Sequence, residues 1–280
     1  MTERVRLTII DGVADVRLDR ADKMNALDPA MFEALAETGA RLRDDSGVRA
    51  VVLSGEGGAF CAGLDVDRLT AAAAGKSILP FADLTRRTHG IANFAQHVVW
   101  IWREIPAPVI AAVHGVALGG GFQLALGADL RYAALGTRFG VIETKWGLVP
   151  DMAGTQLMRH LAREDLVREL TYTARIFSAE EALAYGFVTR VVEHPLSLAL
   201  LTAREIASRS PDAIRAAKRL LNLAVACDAA TGLEAETKEQ RELLGKPNHV
   251  EAVRAGFEKR VPTFADPEAG DRGHPVGAMG

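Results

Sequence analysis

The stretch Ala107–Ala134, APVIAAVHGVALGGGFQLALGADLRYAA, decides how the chain is read. Its apolar run Val109–Val113 has the composition of a buried strand and enters a turn carrying Gly119-Gly120-Gly121. An apolar helix pattern leaves that turn, and a second strand-like run, Leu130–Ala133, follows. Glycines between a buried strand and a helix let a ligand come close to the backbone and leave helix N-terminal amides without partners. Such a turn can hold negative charge, permanent or developing. Taken alone, it reads first as a tight packing turn.

Outward from this stretch the same grammar recurs. Val5–Ile10 and Val13–Leu18 flank Asp11-Gly12, a strong hairpin signal. Arg20–Leu27 (RADKMNAL) is a polar loop running into a helix at Asp28-Pro29, an N-cap followed by proline at the first helical position. Val48–Leu53 is a short buried strand, followed by a second glycine turn, Ala59–Asp65 (AFCAGLD). The pattern predicts a long helix over 83–104, a short amphipathic piece over 141–148 and a helix over 152–162. A weaker strand–helix unit covers 188–207. Helix-start signals at Ser210-Pro211-Asp212, Asp228 and Lys246-Pro247-Asn248 then predict helix after helix. Repetition at this spacing indicates an α/β coil of strand–helix turns, not a doubly wound sheet with one switch point. The expected organisation is a core over 1–195, a helical region over 196–264 with apolar faces suited to a partner subunit, and a frayed tail over 265–280.

Composition narrows the function. The 33 Lys and Arg against 36 Asp and Glu leave a net charge of −3, so nothing favours nucleic acid or an anionic membrane as a partner. Cys61 and Cys227 have no paired spacing, which argues against a disulfide framework or a zinc site and fits a reducing cytoplasm. The N-terminus MTERVRLTIIDG lacks the apolar block of a signal peptide. Ile105–Ala128 contains no Asp, Glu, Lys or Arg, but Pro106, Pro108, His114, Gln123 and the glycine triplet read as a buried strand, a turn and a helix instead of a membrane span. The chain therefore reads as soluble. It contains no GxSxG elbow, no GxxxxGK[ST] loop and no GxGxxG fingerprint, so no serine nucleophile, phosphate loop or redox cofactor is implied.

The two glycine turns, FCAGLD and LGGGF, each follow a buried strand. If those strands are neighbours, one amide from each turn converges on a single oxygen. That is the geometry of an oxyanion hole for an enolate or a tetrahedral intermediate.

The segments AFCAGLD, PAPVIAAVHGVALGGGFQLALGADLRYA and FGVIETKWGLVPDMAGTQ, with LDRADKMNAL before them and FSAEEALAYGFVTRVV after, resemble in order and spacing the enoyl-CoA hydratase/isomerase (crotonase) superfamily. The resemblance implies a crotonase-type ββα spiral core with a C-terminal α-helical trimerisation region, assembled as a homotrimer or a dimer of trimers. It implies an acyl-CoA substrate, with coenzyme A part of that substrate and no separate cofactor or metal. It places the oxyanion amides on Leu64 and Gly120. Lys23, Met24, Ala26, Ala62 and Asp65 fall where the family grips pantetheine and adenine, and Lys259 where a basic residue approaches the nucleotide phosphates. Of the two glutamates of the family's hydratases, one matches Glu143. The other falls on Gln123, an amide that cannot give or take a proton at neutral pH and is left to bind water or substrate. Asp151 stands eight residues beyond Glu143, where the hydratases carry glycine; the pairing is similar to that of the dienoyl-CoA isomerases. Its other reading is a cap for the 152–162 helix.

The expected function is isomerisation of an unsaturated enoyl-CoA by Glu143 and Asp151 through an enolate. The alternatives are hydration of a 2-enoyl-CoA with Glu143, hydrolysis or decarboxylation of an acyl-CoA, and a non-catalytic acyl-CoA- or RNA-binding protein on the same fold. His114 reads as a satisfied turn residue, and His89 and His97 as helix-surface or lid residues. Phe94, Trp100, Trp102 and Trp146 read as core or as acyl-cavity lining.

Overall fold

The computed structural model describes residues 4–79 and 83–267. Its strands are β1 (Val5–Ile10), β2 (Val13–Leu18), β3 (Ala50–Gly55), β4 (Val109–Val113), β5 (Val116–Leu118), β6 (Leu130–Ala134), β7 (Arg138–Gly140), β8 (Ile176–Ser178) and β9 (Arg190–Val192). Six of them form one sheet in the order β1-β2-β3-β4-β6-β9, and β5, β7 and β8 form a second. In the large sheet only the β1–β2 hairpin is antiparallel. Asp11 and Gly12 both lie at positive φ, so the two-residue turn follows the twist of its strands. β4 is buried along its whole length and β3 along nearly all of it, which is why they read as unbroken small-apolar runs without alternation.

The helix Pro195–Ala207 lies across β2, β3, β4 and β6. Ala199, Ala203 and Ala207, one turn apart, are buried with Val13, Ala50, Val52, Ile110, Ala112 and Tyr132; their small side chains let helix and sheet approach closely. The first helix of the 196–264 region thus belongs to the core of its own chain. The next, Pro211–Ala224, is fastened by two buried cations. Lys218 donates to the carbonyls of Trp102 and Ala107 and pairs with Asp129 at 2.7 Å. Arg215 donates to the carbonyls of Ser46 and Val48. Helices Ala229–Leu243 and Pro247–Glu258 complete the region.

Three expected elements differ. The helix predicted over 83–104 begins only at Phe94, because Asn93 and Gln96 form a reciprocal capping box there. The 141–148 piece is a single 3₁₀ turn, Glu143–Trp146. The 152–162 helix is reduced to Gly154–Met158; Ala153 sits at φ 67°, and the amides of Met152 and Gly154 are drawn to the side chain of Gln123. Of the tail expected over 265–280, Ala265 is held by both ends of the Asn248 amide and Asp266 by Arg49; 268–280 lie outside the described residues. Among the described residues no helix is long and apolar enough to cross a membrane.

Replacing Lys218 by Met removes a fully desolvated cation and strands its acceptors. A loss of about 3–5 kcal/mol is expected, read as a lower urea midpoint. A midpoint equal to wild type would mean that the clamp does not hold this helix to the core.

Candidate active site

The two glycine turns are neighbours. Cys61 donates its amide to Val116 and accepts from Leu118 through its carbonyl, so the 59–65 turn runs beside β5. The N-terminal loop joins from the other side: Ala62 donates to Met24, Leu27 to Gly63 and Asp65 to Leu27. Gly63 is pressed so closely onto the other turn that a β-carbon on it would lie 2.5 Å from the Leu118 carbonyl oxygen and 3.5 Å from the Gly120 nitrogen. At Gly121 a β-carbon would meet the Cys61 carbonyl at 2.3 Å. Only glycine permits this contact.

The neighbouring amides are spent, Gly119 on the Gly140 carbonyl and Asp65 on that of Leu27. Among the described residues the Leu64 and Gly120 amides donate to no protein acceptor. They are therefore available to one shared oxygen. The helix Gly120–Leu126 that carries one of them is anchored by Phe122, whose ring meets Phe139, Phe177 and Phe187 edge to face.

Glu143 begins the 3₁₀ turn after β7 and is buried. Its Oε1 accepts from Gln123 Nε2 at 2.6 Å, while its Oε2, also buried, has no hydrogen-bond partner among the described residues. Burial raises the carboxyl above its ordinary range, and the negative charge of Asp151 pushes the same way; nearby amides and the Gln123 NH₂ group pull against them. The Asp151 carboxyl is likewise raised by desolvation from the groups around it, although the residue as a whole is exposed. Asp151 is not a helix cap: the N-cap position of the short helix after it is Ala153, and the amide of Gly154, the first of that helix, is bonded to Gln123.

Gln123 itself is fully occupied at its oxygen, which accepts from the amides of Met152 and Gly154 at 2.9 Å each. Both ends of its amide are thus bonded within the protein, Oε1 to the two main-chain amides and Nε2 to Glu143. Asp65 is spent too, capping the helix Val66–Ala73 with one oxygen and pairing with Arg20 through the other. Lys23 and Met24 are exposed in the 3₁₀ turn and its left-handed cap, beside the buried Ala26. Lys259 is an exposed left-handed cap at the end of the last helix, whose first turn is bonded to Asp212 and Ala265 instead of to the site loops.

Two residues do more than their sequence context suggested. Asn25, at φ 55° and fully buried, donates to the carbonyls of Glu56 and Ala59 and accepts from Arg20, tying the N-terminal loop to the first glycine turn. The signal was an asparagine in a turn, the non-glycine type best suited to left-handed backbone. Gln123 is the other. Cys61, inside FCAGLD, is no nucleophile, since burial pushes its thiol up to about 12. His114 is satisfied by the Gly57 carbonyl; Trp102 is core, its indole bonded to Val98. His89 and His97 stack at 4.0 Å beside Phe94.

Known proteins resemble the chain over most of its length. The family described as enoyl-CoA hydratase/isomerase matches residues 8–267. A mitochondrial methylglutaconyl-CoA hydratase of Mus musculus is 32% identical over 261 residues, 90% of this chain and 79% of that protein. A short-chain-enoyl-CoA hydratase of Clostridium acetobutylicum is 33% identical over 253 residues, 89% of this chain and 92% of its own. The crystal structure of an enoyl-CoA hydratase from Bacillus anthracis superposes with a TM-score of 0.81 at 30% identity, covering 93% of this chain and 98% of that one.

The raised Glu143 carboxyl carries a sign that stability measurements can read. Its folded-state value lies above the unfolded one, so its cost is present at neutral pH and disappears below about pH 4, where both states are protonated. Glu143→Gln is therefore expected to melt above wild type at neutral pH and level with it in acid. A variant that melts lower at neutral pH would contradict the assignment.

Proposed function

The chain belongs to the enoyl-CoA hydratase/isomerase family, and from that premise we propose that it shifts a proton along an unsaturated acyl-CoA thioester. The observation that carries this reading is the pairing of one unpartnered carboxylate oxygen, Glu143 Oε2, with two idle amides and a second raised acid, Asp151. The thioester oxygen accepts from Leu64 and Gly120, which stabilises charge as it develops there. Ionised Glu143 takes a proton from the α carbon, and the electron pair left behind moves through the α–carbonyl bond onto that oxygen. The resulting dienolate then takes a proton at its far carbon from neutral Asp151, its electrons returning from oxygen as the double bond reappears in the new place. Glu143 ends protonated and Asp151 ionised, and one proton exchanged between them resets the pair. Desolvation raises both carboxyls, and the charge of Asp151 adds to the rise at Glu143, which favours a proton on the pair.

Coenzyme A enters as part of the substrate, and proton transfers of this kind call on no further cofactor. Hydration of a 2-enoyl-CoA is the second reading, favoured by the likeness to the mouse and clostridial hydratases. In it Glu143 would act without a glutamate partner at position 123. We also propose assembly as a homotrimer or a dimer of trimers, supported by Leu221, Leu233, Val250, Val253 and Phe257, which stand exposed on the C-terminal helices. Light scattering is expected to return the mass of three or six copies; a monomer would contradict it.

The test of activity supplies purified protein with 2-enoyl-, 3-enoyl- and 3,5-dienoyl-CoA and follows the ultraviolet band of the conjugated thioester. Growth of that band from the 3-enoyl substrate is expected, and Asp151→Asn should slow it by about 10²–10⁴-fold. Hydration with no isomerisation would replace the first reading by the second. Binding of all three thioesters without turnover would mean a non-catalytic acyl-CoA-binding protein.

A further inference from the structure

Taking Glu143 as the group that moves the α proton, as proposed above, we infer that Gln123 is a positioning residue that confines proton transfer to one oxygen of Glu143 and keeps Asp151 in register with it. The direction of the Gln123 amide is fixed by its neighbours. The main-chain amides of Met152 and Gly154 can only donate, so the atom that faces both at 2.9 Å is Oε1. Nε2 is thereby turned to Glu143 and donates to its Oε1 at 2.6 Å. Both side chains are buried.

A consequence follows for the proton. Glu143 Oε1 already accepts an N–H, which disfavours a proton there, so a proton on this carboxyl belongs on Oε2, the oxygen without a hydrogen-bond partner among the described residues. The Gln123 bond survives in both charge states, because Oε1 remains an acceptor in each. A glutamate at 123 would behave otherwise. One of its oxygens would still take the two amides, but the other would face Glu143 Oε1 at the same separation. Two ionised carboxylates do not sit so close, and the pair would share a proton and titrate together.

The other arm reaches Asp151. The two amides that Gln123 accepts from flank Ala153, whose left-handed turn directs the chain out of the Asp151 loop. Gly154 is packed so tightly that a β-carbon there would stand 2.6 Å from Gln123 Oε1. Met152 presses its sulfur on Gly120, where an added β-carbon would come within 2.9 Å of it. One amide side chain thus joins the Glu143 turn, the Asp151 loop and the Gly120 donor.

The experiment follows exchange of the α protons of butyryl-CoA with deuterated water by NMR across pH, in wild type, Gln123→Met and Gln123→Glu, with melting curves for each. This readout needs no net isomerisation. Gln123→Met is expected to lower the exchange kcat by about 10²-fold with little change in KM, and to move the apparent pKa upward because the ionised form loses its donor. Gln123→Glu keeps the two main-chain bonds and is expected to fold; its profile should gain a second ionisation. Wild-type rates and an unchanged profile in Gln123→Met would overturn the inference, and so would a single unshifted ionisation in Gln123→Glu. Exchange by wild type without isomerisation would sink the isomerase reading and leave the role of Gln123 standing. No exchange by wild type would overturn both.

Discussion

The backbone of Gly63 lies against the Leu118 carbonyl with no room for a side chain between them, and the site is built outward from that contact. A second contact of the same two turns, Gly121 against the Cys61 carbonyl, is as close and also needs glycine. Beside that contact Leu64 and Gly120 each present an amide that finds no acceptor among the described residues. A buried amide without a partner carries a desolvation cost of about 1–3 kcal/mol, which the rest of the fold has to cover. Phe122 and its three aromatic neighbours, the Asn25 bridge and the Met152 contact all hold the two turns in place against that cost.

Around this pair of donors the protein arranges negative charge that it does not want. Glu143 is buried with one oxygen unpaired, close enough to Asp151 for their charges to oppose each other, and both carboxyls are held above their ordinary range. Carboxyls raised in this way are better placed to hold and release protons than exposed ones. On the proposed mechanism, a substrate oxygen entering the amide pair would relieve the unpaired donors, and the proton leaving its α carbon would relieve the unpaired carboxylate, so that binding and chemistry draw on the same unmet interactions.

Much of this was legible in the sequence, and the legible part is that carried by backbone. Gly119–Gly121 and Gly63 announced close approach, Asp11-Gly12 announced the hairpin, and Asp28-Pro29 announced the first long helix; each is a residue type whose backbone geometry is nearly obligatory. Side-chain pairings were not legible. Nothing local in PDMAG tells that Gln123, nearly thirty residues earlier, takes the Met152 and Gly154 amides and so cuts the predicted 152–162 helix short. Nothing in Asp65 showed that Arg20 and its own helix would use up both oxygens. The late start of the helix at Phe94 was readable from Asn93 and Gln96 but was outweighed by the apolar run around it. The positions of Gln123 and Asp65 could be singled out from the chain alone, while their bonding depends on partners that only the folded chain brings together.

The central claim is that the Leu64 and Gly120 amides act together on one thioester oxygen. The most direct measurement is the infrared difference spectrum of an acyl-CoA labelled with ¹³C at the thioester carbonyl, bound and free. The account predicts a carbonyl band displaced to lower frequency on binding, as two donors polarise the bond toward the enolate. A bound band at its position in water would show that the two amides do not meet the carbonyl, and would contradict the account.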